Sequence, residues 1–352
     1  MPRSSNASSS KSGSVTLAMV AVRAGVSPQT VSNAINSPGM LRPETLARVR
    51  RVVDEMGYRP SRAAQALRTR SSKLIGYGIQ SAPLSSPVLD WFLHALSHSA
   101  EVAGYRILLF TSALGDTPLK SYEELLGRHD VDGIVLSGTE RGDLRQKWLT
   151  QKGVPFVAFG RLWSGRQIGD WVDVDGASGT EAAVDHLVSQ GHTKIGFLGW
   201  ERGTSGAGDD RAAGWARAMR RHGLTVRGAR GQSDNGIDPA RIAVRPLLEG
   251  GATAIIAASD MLALGCYQAL RERGAVPGRD VAVVGFDNAA GTDLLSPPLT
   301  SIAQPLDIVG AQCIRMLLAR IAAPELPPQR LLLAPSLVVR DSSSRTAQFS
   351  PS

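Results

Sequence analysis

Between Val15 and Tyr58 the chain carries three short helical periodicities, and the first two are separated by a single glycine, Gly25. Leu17, Val20, Ala21 and Ala24 recur at helical spacing and so share one face that must be buried. Gly25, lacking a Cβ, takes the positive φ that a sharp helix-to-helix turn demands. Ser27 follows as N-cap and Pro28 fills the first helical position, where a missing N–H costs nothing. This second helix ends near Asn36 and Pro38. A third opens at Pro43, turns Leu46, Val49, Val52, Val53 and Met56 inward, and stops at Gly57. Helices this short do not persist alone, so the three must share one small core built on a helix-turn-helix.

On the second helix Val31, Ala34 and Ile35 form the apolar stripe, which leaves Gln29 and Asn33 together on the opposite face. Amide side chains at i and i+4 on an exposed helix suit the DNA major groove, where Gln and Asn pair bidentately with adenine. Taken alone they read more readily as two solvated amides, but the surrounding turn, cap and spacing favour the first reading. Residues 1–73 hold twelve Lys or Arg against three Asp or Glu, a net charge of +9, whereas the whole chain carries +8. A basic N-terminal module that meets phosphates is thus joined to a nearly neutral module that does not. Arg50, Arg51, Arg59 and Arg62 are the candidate phosphate partners.

The order Thr16, Leu17, Val20, Ala21, Ala24, Gly25, Val26, Ser27, Thr30, Val31, Ser32, Asn36, followed by Tyr58 and Pro60, resembles the LacI/GalR family of transcriptional repressors. Ser61 departs from it, standing where the family has Asn. The resemblance implies a DNA-contacting set of Thr16, Ser27, Pro28, Gln29, Thr30, Ser32, Asn33, Asn36, Tyr58, Arg59 and Leu67. On composition alone, Tyr58–Lys73 is a basic linker too short to be a stable helix by itself. By resemblance it is a hinge helix that pairs with its twin in a dimer and wedges Leu67 into the minor groove. The expected segments are a disordered tail at 1–14, the helix-turn-helix domain at 15–59, the hinge helix and linker at 60–73, a core at 74–341 and a second disordered tail at 342–352.

From Leu74 the pattern changes to short apolar runs alternating with amphipathic helices, the signature of a parallel sheet covered on both faces. Strands are expected at Leu74–Ile79, Arg106–Phe110, Gly133–Leu136, Phe156–Phe159, Ile195–Leu198, Ala254–Ala257 and Val281–Val284. Gly104, Gly191 and Gly274 read as C-caps of the helices before three of them. So long a stretch implies two α/β lobes with a ligand cleft between them rather than one open sheet. The resemblance agrees, implying a core like the type I periplasmic sugar-binding proteins, in which the chain crosses between lobes three times. Those crossings are expected near Trp171, Ser301 and Leu331. The C-terminal tail lacks a leucine heptad, so a homodimer rather than a tetramer is implied.

Met1–Ser14 is Ser-rich without an apolar run, and no eighteen apolar residues occur in succession, so a cytoplasmic protein with no membrane partner is expected. Cys266 and Cys313 lie far apart within apolar helical patterns and read as buried thiols, not a disulfide or metal site. No phosphate-binding, nucleophile-elbow, zincin or Cys-x-x-Cys motif is present, so an enzyme is not expected, nor a cofactor. The glycines between Gly199 and Arg211 do not fall at dinucleotide-binding spacing. His94 and His98 stand at i and i+4 but opposite the stripe of Leu89, Phe92, Leu93, Leu96 and Ala100, which makes them solvated rather than metal ligands.

Polar residues at strand ends and helix starts remain, where the cleft of an α/β lobe opens. Each alone reads equally well as a helix cap or a surface ion pair. The resemblance assigns Arg211, Asp287, Gln304 and Asp260 to the effector site, with Ser259 replacing the usual Asn before Asp260. Gly160, where many relatives have Asp, leaves room beside Arg161. With Trp91, Trp163 and Trp200 as stacking faces, this favours a di- or oligosaccharide over a monosaccharide. The resulting expectation is a dimeric repressor of a palindromic operator whose effector alters DNA affinity. Beside it stand a regulator co-repressed by a purine or nucleoside, and a sugar-binding protein with no DNA role.

Overall fold

The computed structural model describes residues 15–59, 71–80, 87–112, 118–128, 131–203 and 205–344. The chain divides into two compact units, Met1–Ser72 and Lys73–Ser352. The expected hinge helix with Leu67 and Arg62, and the tails at 1–14 and beyond Ser344, lie outside the described residues.

In the first unit, α1 (Leu17–Ala24), α2 (Pro28–Asn36) and α3 (Pro43–Glu55) close on Val20, Ala21, Ala24, Val31, Ala34, Val49 and Val52. Leu46, Val53, Met56 and Tyr58 pack around that core. Gly25 has φ +64°, and its neighbour Val26 donates to Ala21 O at 3.0 Å, which closes the turn. Thr16 Oγ1 caps α1 and Ser27 Oγ caps α2 through the Thr30 N–H at 3.1 Å. These local signals alone define the motif.

The second unit has two α/β lobes. The first is built from β1 (Leu74–Gln80), α4 (Pro87–Val102), β2 (Arg106–Ser112), α5 (Pro118–Arg128), β3 (Gly133–Leu136), α6 (Leu144–Gln151), β4 (Phe156–Phe159) and β5 (Asp170–Val174). The second holds α7 (Gly176–Ser189), β6 (Ile195–Gly199), α8 (Gly206–Arg221), β7 (Arg230–Gln232), α9 (Ile237–Ala243), α10 (Arg245–Glu249), β8 (Ala254–Ala257), α11 (Asp260–Glu272), β9 (Ala282–Asp287) and β10 (Thr300–Ala303). The chain then returns through α12 (Leu306–Ala322) and β11 (Arg330–Leu333) to the first lobe, and ends with β12 (Ser336–Val338) in the second.

The two sheets have matching topologies, β2-β1-β3-β4-β5-β11 and β7-β6-β8-β9-β10-β12, parallel throughout except that β12 runs antiparallel to β10. Alternation buries both faces. Ile134 and Leu136 join one apolar cluster of the first lobe while Val135 between them joins the other. In the second lobe a single cluster surrounds Phe197, Ile255, Val283, Phe286 and Trp215, with Phe197 and Trp215 stacked at 5.6 Å. Gly104, Gly191 and Gly274 end helices at φ +76°, +85° and +67°, as their place before each strand implied. Cys266 and Cys313 are buried free thiols.

The lobe crossings fall a few residues later than the sequence suggested. Trp171, Ser301 and Leu331 lie inside β5, β10 and β11, and the chain changes lobe only where each strand ends. Among the described residues no helix is long and apolar enough to cross a membrane.

Helices α7 and α8 pack so closely that a Cβ on Gly214 would stand 2.1 Å from Ala177 O. The neighbouring Thr180 hydroxyl donates to Arg211 O at 2.8 Å, so the same contact holds the start of α8. Gly214→Ala is expected to lower stability by about 1–3 kcal/mol through overpacking, read as a fall in the urea midpoint. An unchanged midpoint would mean that the two helices separate freely.

Candidate functional site

In the first unit, α2 presents its polar face outward. Gln29 is exposed, and its Nε2 donates to Asn33 Oδ1 at 3.0 Å, so the two amides form one pre-ordered pair. Asn36, also exposed, donates to Ser32 O at 2.8 Å, and Thr30 Oγ1 lies 2.9 Å from Ser27 Oγ. Thr16 and Pro28 are exposed at their helix starts, Arg59 follows α3 into solvent, and Tyr58 is half-buried against the core. Arg50 and Arg51 are exposed on α3.

In the second unit the C-terminal ends of β6, β8, β9 and β10 converge on Arg211, near the start of α8. Arg211 is 8 % exposed, its Nη1 donates to Ala258 O, and it lies 3.8 Å from Asp287 Oδ1. Its guanidinium also sits 3.6 Å from the centroid of Phe286 and 5.4 Å from that of Trp200. Burial draws its pKa down while Asp287, Asp173, Asp210 and Asp260 oppose the fall. Its Nε has no hydrogen-bond partner among the described residues.

Asp287 closes β9 with φ +119°, a conformation rare for a residue with a side chain. Three contacts hold it and the loop after it. Gln304 Nε2 donates to Asp287 Oδ1 at 2.7 Å, the Asn288 N–H donates to Ser301 Oγ at 2.9 Å, and the Ala289 N–H donates to Asp260 Oδ2 at 2.7 Å. Ser301 Oγ in turn donates to Asp260 Oδ1 at 2.6 Å, so both carboxylate oxygens of Asp260 are engaged. Asp260 therefore shapes the Asp287 loop. Ser259 caps α11 and donates to Asn235 Oδ1 at 2.6 Å.

The structure thus brings Arg211, Asp287, Gln304 and Asp260 together, and it revises the roles of the other candidates. Gly160, at φ +112°, leaves no additional room, because a Cβ there would stand 2.2 Å from Thr139 Oγ1. Arg161 Nε donates to Asp173 Oδ2 at 2.7 Å and its Nη2 lies 3.2 Å from Asp210 Oδ2. It also stacks on Trp163 at 4.2 Å. Trp163 covers Gly206, whose Cβ would fall 2.0 Å from the indole, and Trp200 likewise covers Gly208. Those indole faces are occupied by the protein. Trp91, by contrast, is 54 % exposed. His94 and His98 are exposed, as their place opposite the apolar stripe implied.

A cavity of about 540 Å³ runs from Asp287, Asn288 and Gln304 to Trp91, His94 and Asp307. It is bounded by α4 of the first lobe and the Asp287 loop of the second. Sequence reasoning missed Asp173 and Asp210, which link Arg161 to the surroundings of Arg211. Asp210 directly precedes Arg211, a signal within reach; Asp173 lies in β5, whose acidic residues conceal its strand character.

A helix-turn-helix joined to a two-lobed α/β core with a polar cleft is the build of a DNA-binding regulator controlled by a small molecule. The comparisons agree. Residues 16–61 match the bacterial regulatory proteins, lacI family, and residues 184–343 match the periplasmic binding protein-like domain. The HTH-type transcriptional regulator CelR of Thermobifida fusca is 31 % identical over 334 residues, which span 93 % of this chain and 98 % of that protein. The solved CelR–cellobiose complex is similar with a TM-score of 0.72 at 28 % identity, covering 93 % and 99 % of the two chains. The Lac repressor dimer bound to operator and the anti-inducer ONPF gives 0.82 at 26 % identity, covering 94 % and 99 %. The chain belongs to the LacI family of transcriptional regulators and is not an enzyme.

The buried carboxylates make the core sensitive to pH. Burial pushes Asp287 up to about 6 against the pull of Arg211 and Gln304, and burial with the adjacent Asp287 charge pushes Asp260 to about 7. The two titrate as a pair. Above about pH 4 the unfolded chain has released protons that the folded pair still holds. Their contribution to stability is therefore complete below that pH and is lost as pH rises through about 6 to 7. Asp287→Asn is expected to flatten this fall, measured by chemical denaturation between about pH 5 and pH 8. An equal fall in both proteins would place the titrating charge elsewhere.

Proposed function

We propose that the protein is a cytoplasmic, homodimeric repressor that binds a palindromic operator and is released by a sugar, with a di- or oligosaccharide favoured. The observation that carries this reading is the juxtaposition of Arg211, Asp287 and Gln304 at strand ends beside the 540 Å³ cavity. A guanidinium donor, a carboxylate acceptor and an amide that does both match neighbouring sugar hydroxyls, which also donate and accept. A phosphate would call for cations only. The cavity falls within the roughly 300–1,000 Å³ common for small-molecule sites. Its far end offers the open face of Trp91 for an apolar sugar face, with Asp307 Oδ1 accepting from the indole Nε1 at 3.3 Å. That CelR is solved with cellobiose supports an effector longer than one ring.

On the DNA side, the segment assignment expected above is retained: residues 15–59 read the half-site and residues 60–73 form the hinge, with Leu67 as the minor-groove wedge. Gln29 and Asn33, already paired to one another, offer base edges a fixed amide face. The ligand acts by population shift, favouring one arrangement of the core by its differential affinity, typically about 1–3 kcal/mol of coupling.

Two experiments test the two halves of this reading. Gln29→Ala is expected to cost about 1–3 kcal/mol on the best operator and to relax specificity at one base pair of each half-site, measured by binding selection from a randomised operator pool. Uniform weakening on every sequence would reassign Gln29 to the phosphates.

In the core, Arg211→Lys keeps a charge but loses the planar fork. Titration calorimetry against a panel of mono-, di- and oligosaccharides, purines and nucleosides is expected to find a sugar that binds the parent and binds the variant at least tenfold more weakly. Operator affinity without ligand should be unchanged, giving repression that the sugar cannot relieve. Binding of a purine in place of any sugar would favour a co-repressed regulator, and a parent with no operator affinity would favour a sugar-binding protein without a DNA role.

A further inference from the structure

The outer face of α8, the edge strand β7 and the Arg202–Gly203 turn enclose a second groove of about 850 Å³. None of Arg211, Asp287 or Gln304 lines it. Five arginines do, Arg141, Arg202, Arg217, Arg220 and Arg230, against one acidic residue, Asp209, among the described residues. Its floor is apolar, with Ala212, Ala216 and Val226 between the charged walls.

The arginines are unequally neutralised. Arg217 Nη2 reaches Glu181 Oε1 at 2.6 Å, and Arg141 Nη2 reaches Asp209 Oδ2 at 3.2 Å. Arg202 and Arg220 are exposed, and their side chains make no ion pair or hydrogen bond among the described residues. Arg230 is the most telling. It is half-buried, its Nη2 reaches Trp200 O at 3.3 Å and comes no closer than 3.8 Å to Asp209, and its Nε is buried without a hydrogen-bond partner among the described residues. Burial and the nearby Arg202 charge both disfavour its cationic form, with Asp209 opposing them. A solvated basic face would spread such charges apart in water; here they converge on a concavity that also has an apolar floor.

We propose that this groove is a second effector site that takes a phosphate monoester of a small organic molecule. Guanidinium forks pair bidentately with phosphate oxygens, and a dianion would neutralise charges that the protein leaves unpaired. The apolar floor accepts the organic part. Arg141 comes from the loop after β3 in the first lobe, whereas the other lining residues belong to the second lobe. The groove is complete only in this arrangement of the lobes, so its anion favours that arrangement and changes the affinity of the cleft for its own ligand, and the cleft ligand changes anion affinity by the same factor. This inference stands whatever the cleft binds.

The test is titration calorimetry of the full chain with glucose 6-phosphate and with inorganic phosphate, ionic strength held constant with sodium chloride. Arg202→Ala/Arg220→Ala removes two exposed, unpaired arginines; Arg128→Ala/Arg166→Ala removes the same charge from exposed positions outside the groove. Glucose 6-phosphate is expected to bind one site per chain more tightly than phosphate. The groove variant should lose at least tenfold for both anions at an unchanged melting temperature, and the Arg128/Arg166 variant should bind as the parent does. Equal affinity in the groove variant, equal losses in both variants, or heats that vanish at matched ionic strength would overturn the proposal. So would anion binding that is lost in Arg211→Lys and kept in the groove variant, which would place the phosphate in the cleft. Binding of an acidic peptide or duplex DNA at this face with none of either phosphate would equally overturn it.

Discussion

The second lobe depends on burying one guanidinium. Removing a cation from water is costly, and Arg211 is compensated by a carbonyl, Ala258 O, by Asp287 at 3.8 Å, and by the faces of Phe286 and Trp200. Each compensating group fixes a different piece of backbone. Ala258 follows β8, Phe286 and Asp287 end β9, and Trp200 follows β6, so three adjacent strand ends are placed by one side chain. The uncommon φ of Asp287 is a consequence, held by a hydrogen bond from Gln304 and by backbone N–H groups of the following loop donating to Asp260 and Ser301. A site arranged so firmly before any ligand arrives loses little entropy on binding.

The helix-turn-helix was legible because its determinants are local. A capping Ser27, a turn at Gly25 and an apolar stripe within α2 are separated by only a few residues, and each acts on its own helix. The strands with uninterrupted apolar runs, β3, β4 and β8, were equally plain. β5 was not, because Asp170 and Asp173 interrupt its pattern. The burial of Asp170 is compensated by Arg320, far along the chain on α12, which donates to both its oxygens at 3.0 Å, and by the Gln329 N–H at 2.6 Å. No window of sequence contains that pair.

The cleft was half legible for the same reason. Position at strand ends and helix starts made Arg211, Asp260 and Asp287 candidates, but only the resemblance implied that they belong, with Gln304, to one site. Their division of labour was hidden, since only the folded chain places Ala289 and Ser301 on the two oxygens of Asp260. Gly160 and Trp163 looked like cleft features from residue type. Thr139 beside the one and Gly206 beneath the other give them structural work, which neighbours distant in sequence alone reveal.

Contacts between the lobes determine what a ligand must supply. Arg141 reaches Asp209 and Trp163 O, Arg161 reaches Asp210, and Trp163 lies on Gly206, each joining a loop of the first lobe to α8 of the second or bracing that loop. The Arg141–Asp209 pair is 48 % and 21 % exposed on its two sides, and such a pair is worth at most about 1 kcal/mol. The Arg161–Asp210 pair is less exposed, at 22 % and 19 %, and its attraction is offset by the desolvation of both groups. A few pairs of this kind hold two lobes together without locking them. An equilibrium set so shallowly is one that a coupling of about 1–3 kcal/mol can reverse, whereas a fully apolar interface of the same extent would require far more from a small ligand. Polar contacts across the lobes therefore leave their arrangement within reach of the binding energy of a small ligand.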